Sequence, residues 1–355
     1  MIVLSAYRFY TVLVCVTCLV LGCTGKYPGT ASEISYTLDL DTHPVTEIVI
    51  GDEHKINLIG QDDLISAPWY ITVTDQVIFL NDIEASPLRI IDKETHEVVR
   101  SYGKGRGPGE FNFISGISAN SRHVVVAEMG SSMNTYFNHM GVIDSMAVTS
   151  ANYKFGFISV FAVNDSMFTS GATNPDYLIQ LNSLYRDEEP VFLKERVIPL
   201  GHQPDVYNWP SITLSDQYLA FSITGIPEIT FADLSGREKF SITVTSEEIR
   251  KIENPPVEAV ESNEPMRVQS VFSVLKIIGN RLYIYSTGSI LNIIEIDFED
   301  PARSRIMGRF RFMEQSENGY LKLFGLFSDL DHDGKDLYFT FRRSSSIYRL
   351  PFALN

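Results

Sequence analysis

A short apolar strand, an Asp or Asn turn and a second apolar strand recur along this chain, with the turns at Asp75, Asn120, Asn164, Asp216, Asn280 and Asp333. Two copies are nearly the same string, Ile71-Thr72-Val73-Thr74-Asp75-Gln76 and Ile212-Thr213-Leu214-Ser215-Asp216-Gln217, although they stand far apart. The turns follow one another at intervals of about 44 to 64 residues, a spacing at which each repeat is one small antiparallel sheet of a radial array. The expected architecture is all-β: a six-bladed β-propeller with four-stranded antiparallel blades.

Strand signals come in sets that support this count. Trp69 to Val73, Val77 to Asn81, Leu88 to Asp92 and Val98 to Tyr102 are short runs rich in Val, Ile and aromatic residues, divided by polar turns. Ile212 to Leu214, Tyr218 to Ile223, Glu228 to Asp233 and Lys239 to Val244 repeat the plan, as do Val274 to Ile278, Arg281 to Ser286, Asn292 to Phe298 and Arg305 to Phe312. The last repeat offers only Lys335 to Arg342 and Ser346 to Phe352. An edge left open there exposes unpaired amides and carbonyls. Ile34 to Leu40 or Thr46 to Ile50 is therefore expected to supply the missing outer strand. Between the fourth and fifth repeats, Ser246-Glu247-Glu248-Ile249 reads as a capped start of a short helix, halted by Pro255-Pro256. The acidic run Glu258, Glu261 and Glu264 that follows reads as a solvated face or a partner surface.

The first residues carry an address. After Arg8, Phe9 to Leu21 holds no charge but is too short to span a bilayer, and it ends in Val20-Leu21-Gly22-Cys23. That ending resembles a bacterial lipobox, in which Cys23 becomes the acylated first residue. The expected organisation is a lipoprotein signal peptide over 1–22, a flexible Gly/Ser/Thr/Pro tether over 23–33 and one propeller domain over 34–355. Cys15 and Cys18 fall inside the discarded segment, so the mature body has no disulfide available. In lipoproteins of the Bacteroides type, surface export resembles a code of acidic residues just after the cysteine. Thr24-Gly25-Lys26-Tyr27 lacks them, so the expected location is the outer membrane, lipid-anchored on its periplasmic face. A net charge of -15 argues against nucleic acid and against docking on anionic lipid headgroups, both of which need Lys/Arg patches.

Gly103-Lys104-Gly105-Arg106-Gly107-Pro108-Gly109-Glu110-Phe111 is the most distinctive string. Its glycines and bases suit an anion-binding nest or a tight link between blades; the order is wrong for a phosphate loop. With Tyr102 before it, and placed after the first blade of a lipoprotein, the string resembles the hallmark of the TolB-like six-bladed propeller lipoproteins of Bacteroides and its relatives. The resemblance implies the fold and the outer-membrane setting. It implies no activity and no catalytic residues.

Asp329-Leu330-Asp331-His332-Asp333-Gly334 matches the first half of a calcium loop, but position twelve is Thr340 and both flanks read as strands. An Asp-Gly hairpin turn and a weak calcium site on Asp329, Asp331 and Asp333 are the two expectations; no other cofactor is expected. The seven histidines show no ligand spacing, and no Gly-x-Ser-x-Gly elbow occurs.

In a propeller the links into the inner strands crowd one mouth. Those links carry Trp69, Tyr70, Arg106, Phe155, Phe157, Tyr207, Trp209 and Phe272. Aromatics with an occasional Arg suit sugar stacking or peptide capture, and they equally suit packing between blades. The candidate mouth is Trp69, Tyr70, Arg106, Tyr207 and Trp209. Two functions follow: a non-enzymatic binding or scaffold module for a protein, peptide or glycan, or a calcium-dependent hydrolase or lyase resembling the lactonase propellers.

Overall fold

The computed structural model describes residues 34–59, 65–84, 86–119, 122–128, 133–148, 160–163, 166–170, 176–183, 191–195, 210–215, 217–252, 254, 268–286, 289–315, 321–342 and 344–351. The leader, Cys23 and the tether lie outside these residues, as do the turns at Asn120, Asn164 and Asp216 and the acidic run at Glu258, Glu261 and Glu264.

Strands β1 (Ser35–Asp39), β2 (Val45–Ile50) and β3 (Lys55–Ile56) form an N-terminal strap. The first full sheet holds β4 (Pro68–Val73), β5 (Val77–Asp82), β6 (Leu88–Asp92) and β7 (Val98–Tyr102), and the next β8 (Ile114–Ala119), β9 (Val124–Glu128), β10 (Met133–Phe137) and β11 (Ile143–Val148). After β12 (Val160–Val163), β13 (Ser166–Ser170), β14 (Tyr177–Ser183) and β15 (Val191–Glu195) come β16 (Pro210–Leu214), β17 (Tyr218–Ile223), β18 (Glu228–Asp233) and β19 (Glu238–Thr245). Helix α1 (Glu247–Arg250) then precedes β20 (Phe272–Ile278), β21 (Arg281–Ser286), β22 (Ile290–Glu295) and β23 (Arg305–Gln315). The chain ends in β24 (Leu321–Leu323), β25 (Leu326–His332), β26 (Asp336–Arg342) and β27 (Ile347–Pro351).

Each sheet is an antiparallel meander whose strands pair in chain order. Five are evident, and β12 to β15 pair in the same way. First strands lie against first strands of neighbouring sheets: β4 against β8, β8 against β12, β12 against β16, β16 against β20, β20 against β25, and β25 against β4. This is an all-β β-propeller.

The core lies between sheets rather than beneath one. Val77, Phe79, Leu88 and Ile90 face Ile114, Ile117, Val124, Val126 and Phe137 of the next sheet, whereas Ile78, Leu80 and Ile91 face Tyr338 and Ile347 of the last. Covered on both faces, the middle strands become continuous apolar runs instead of alternating ones. Val77 to Asp82 is buried at every position. Between the β20–β23 sheet and the last, Phe312, Phe324, Phe327, Phe339, Phe341 and Tyr348 interlock, with Phe339 and Phe327 stacked 5.5 Å apart. Each such ring buried from water stabilises the fold by roughly 1.5–3 kcal/mol.

The repeated Ile-Thr-x-Thr/Ser string has a structural reason at each hydroxyl. Thr74 Oγ1 accepts from the Val77 and Gln76 amides, and Ser215 Oγ accepts from Tyr218 and Gln217 in the matching turn. The preceding Thr reaches sideways: Thr72 Oγ1 donates to the Ile117 carbonyl at 3.3 Å, and Thr213 Oγ1 accepts from the Ile277 amide at 2.8 Å. Inner strands have one unpaired edge, and these hydroxyls satisfy backbone groups on it.

Two expectations are corrected at the chain ends. Ile34 to Leu40 and Thr46 to Ile50 do not complete the last sheet. β1 adds in parallel to β19 and β2 in parallel to β23, while Lys55 and Ile56 of β3 pair with β27. Ile59 then bridges Glu97 at the start of β7. The strap thus visits four outer edges in turn, inserting Tyr36, Leu38 and Leu40, then Ile48 and Ile50, then Ile56, into the gaps between sheets. Buried Arg309 locks it, donating to the Leu40 and His43 carbonyls, to Asp41 and, across to α1, to Glu248. Asp41 also accepts from the Glu247 amide and from Arg250, and Ser246 caps α1 through the Ile249 amide as its sequence implies. The second correction is at Asp329: Asp329 to His332 is inner strand, not turn, and only the residues after it turn the chain.

Candidate functional site

Trp69 stands at the second position of β4, where the pairing with β5 is irregular between Pro68 and Ile71. Such a bulge re-aims side chains. Trp69 turns toward the last sheet, where the Arg342 guanidinium lies 4.8 Å from its ring centre, an arrangement worth about 0.5–2 kcal/mol depending on how far water is excluded. Arg342 is held there because it pairs with Leu326, the first residue of β25. Leu326 is 62% exposed, an unusual position for a large apolar side chain on an inner strand. Beside them Ile83, exposed, donates its amide to the Ala67 carbonyl at 3.2 Å. Leu323 and Leu321 of β24, also exposed, stand just ahead of Leu326 in the chain. Ile83, by way of Ala67, is thus linked with Trp69, Arg342 and Leu326 into a crescent at the mouth formed by the entry ends of β4 and β25, exposed apolar side chains beside the Arg342 guanidinium.

The sequence-derived candidates divide among several places. Trp69 lies in this crescent. Tyr70, its ring centre 6.4 Å from that of Trp69, turns the other way and packs, half-buried, against the core shared with the β8–β11 sheet. Phe272 is buried in the core around β20. Phe155, Phe157, Tyr207 and Trp209 lie outside the described residues. Arg106 is exposed on the loop between β7 and β8. That loop is closed on itself: the Phe111 amide donates to the Gly103 carbonyl, the Glu110 amide to that of Gly107, and the Gly107 amide to Glu110 Oε2 at 2.8 Å. A side chain at Gly105 would have to push the Glu110 carboxylate aside, away from the Gly107 amide, and Gly109 has a φ of 76°. The glycines serve a tight link whose own acid takes the amide that an anion would need.

The candidate calcium residues bond to the protein itself. Asp329 Oδ2 accepts from the Ile71 amide at 3.1 Å and Asp331 Oδ2 from the Val73 amide at 3.0 Å, so both carboxylates satisfy the inner edge of β4. Asp331 Oδ1 faces Lys276 Nζ at 3.7 Å. Burial pushes the Asp329 carboxyl up to about 6 against the pull of Lys276. Burial also opposes the charge on Lys276, but Asp331 and Asp329 outweigh it and hold the ammonium above its ordinary value. Asp333 lies in the turn, accepting from the Lys335 and Asp336 amides and from Lys93 Nζ at 3.0 Å. Burial disfavours its charge, yet the two amides and the Lys93 ammonium hold it down at about 2. These oxygens serve amides and ammonium groups, a donor set that does not fit a calcium ion. Among the described residues no three His, Cys, Asp or Glu side chains gather as a metal site.

Arg342 and the leucines at 321, 323 and 326 are the mouth residues that sequence reasoning did not nominate. The alternation Leu321-Lys322-Leu323 after an already complete outer strand is the signal that points to the first two leucines; Arg342 and Leu326 have no such local mark.

No family model and no curated protein matches this chain in sequence. Solved structures match it by shape. The WD40 repeats of RRP9 superpose with a TM-score of 0.51 at 11% identity, covering 87% of this chain and 98% of that one. A DUF4221 member from Bacteroides vulgatus gives 0.47 at 11% identity, with 82% and 94% covered. A catalytically inactive virginiamycin B lyase from Staphylococcus aureus, crystallised with quinupristin, gives 0.47 at 13% identity, with 84% and 98% covered. At such identities the likeness speaks for the β-propeller fold alone.

Proposed function

We propose that this chain is a six-bladed propeller closed by its N-terminal strap, lipid-anchored through Cys23 on the periplasmic face of the outer membrane, and that it is a binding module for a protein, peptide or glycan. The blade count is supported by β12 to β15 pairing as the other sheets do, and closure by β25 lying against β4 while β3 pairs with β27. Membrane attachment rests on the sequence around Cys23; among the described residues no helix is long and apolar enough to cross a bilayer.

The observation that carries the binding role is the Trp69–Arg342 stack flanked by exposed Leu326. Half a dozen loops and strand ends meet at such a mouth, and exposed apolar groups clustered there mark interaction surfaces. Affinity capture from intact membranes with the lipid-anchored chain tests the proposal. A reproducible partner that is lost with Trp69→Ala and Arg342→Ala supports it. Partners retained by both variants would remove the mouth from the account, and membrane association left unchanged by Cys23→Ser would remove the anchor.

A further inference from the structure

We infer that the ligand of this mouth is an extended peptide, which adds as a strand to the outward edge of β24 and lays apolar side chains at alternate positions along Leu321 and Leu323. The inference rests on the binding-module proposal and names the class of ligand.

β23 is eleven residues long, more than its neighbours need. Its first part pairs with β22, and its last three residues pair with β24 in the register Met313↔Leu323, Glu314↔Lys322 and Gln315↔Leu321. The Phe324 amide donates to the Phe312 carbonyl at 3.0 Å, which sets the phase of that pairing. Hydrogen-bonded and non-bonded pairs alternate along an antiparallel ladder, so Lys322 bonds across to Glu314, whereas Leu321 and Leu323 turn N–H and C=O away from β23. Their side chains are 46% and 52% exposed. Natural edge strands are blunted by charge, proline or cover. The charge here, Lys322, is drawn to Glu314 at 3.1 Å; among the described residues nothing pairs with the outward edge, which offers two leucines and their backbone donors and acceptors, the pairing template that strand addition uses.

The same sheet already accepts an added strand. On the opposite edge of β23, β2 lies in parallel from Val45↔Arg309 to Ile50↔Glu314, so Met313 has Val49 on one side and Leu323 on the other. A peptide on β24 extends this row in the direction of the mouth. A sugar supplies no main-chain ladder, and Arg342 already lies over the Trp69 ring, the aromatic surface of the crescent.

The test pans a random nonapeptide display library against the full chain, then measures the selected sequences as synthetic peptides by fluorescence anisotropy and amide hydrogen exchange. The expected peptides share apolar residues at alternate positions and slow exchange at the Leu321 and Leu323 amides. Leu323→Pro removes an outward N–H without touching the bond network to β23, and it is expected to weaken binding by about tenfold or more. Leu321→Lys, which spares the backbone, serves if the proline variant does not fold. Selected peptides that lack alternation, or that bind Leu323→Pro undiminished, overturn strand addition. If those peptides still depend on Trp69, the mouth stands and only the peptide-edge inference falls; if they ignore Trp69 as well, both fall. Failure to select any peptide, or a concentration-dependent dimer abolished by Leu323→Pro, overturns it too, the latter by making a second copy the occupant.

Discussion

Where the β4–β7 sheet meets β8–β11, and where β16–β19 meets β20–β23, a threonine hydroxyl crosses between inner strands. Where β25 meets β4, two carboxylates do the same work, with Lys276 from the preceding sheet beside them. All three junctions answer the same demand, an inner strand edge with backbone groups that water reaches poorly. The hydroxyl answers it at no cost in charge. The carboxylates give stronger bonds to the amides, but they must be desolvated, and each then depends on its neighbours. A junction built of threonine is thus insensitive to pH and to the loss of any distant partner, while the junction at β25 is sensitive to both. The charged junction is also the one that joins the last sheet to the first.

The most damaging break in this comparison is the removal of Lys276. Lys276→Met keeps the length of the side chain and leaves Asp331 and Asp329 without the ammonium, a loss of about 3 kcal/mol or more for a buried pair deprived of one partner. Urea denaturation at neutral pH measures it. A loss no larger than that of a threonine variant would mean that water, not Lys276, balances the two carboxylates.

The dependence on pH is a subtler probe of the same junction. Asp329 has a folded value of about 6, above the ordinary 3.8. Its contribution is therefore fully present below pH 3.8 and is lost as pH rises through about 6, because over that range the folded chain holds the proton more tightly. Asp333 runs the other way: held at about 2, it stabilises above 3.8 and loses that effect as pH falls toward 2. Asp329→Asn retains a carbonyl acceptor for the Ile71 amide and has no proton to lose. The difference in unfolding free energy between the parent chain and Asp329→Asn should shift in favour of the variant from pH 4 to 6 and level off above. Parallel curves would show that Asp329 titrates as a solvated acid.

Much of this architecture was legible in the residues, and the misses share a cause. Middle strands announce themselves, because burial on both faces makes them continuous apolar runs; Val77 to Asn81, Tyr218 to Ile223 and Arg281 to Ser286 are read within a residue of their observed bounds. Ser246 and its acidic first turn announce α1 for equally local reasons. The inner strand over Asp329 and Asp331 was hidden, since polar residues on a strand look like a turn until the amides of Ile71 and Val73 are known to face them. The strap was misplaced for a related reason. Tyr36, Leu38 and Ile48 have a strand pattern, but which edge each joins depends on pairings more than 200 residues away. Trp69 was legible as a strand-entry aromatic, whereas Arg342 owes its place to pairing with Leu326, which no local pattern encodes.

The smallest expected effects separate the two threonines. Thr213→Val leaves the Ile277 amide, a buried donor, without its 2.8 Å acceptor, and a buried unsatisfied amide costs about 1–3 kcal/mol. Thr72→Val takes a 3.3 Å donor from the Ile117 carbonyl on the unpaired edge of β8, and a carbonyl oxygen short of a donor is less costly than an orphaned N–H, so about 0.5–1 kcal/mol is expected. Valine matches threonine in shape, so the packing term is nearly the same at both sites. Denaturation midpoints measured together should fall in the order parent chain, Thr72→Val, Thr213→Val, with neither variant changing the pH profile of the parent. An altered profile would mean that the hydroxyl junctions and the carboxylate junction are coupled through the inner strands, and that no junction can be treated as independent of the others.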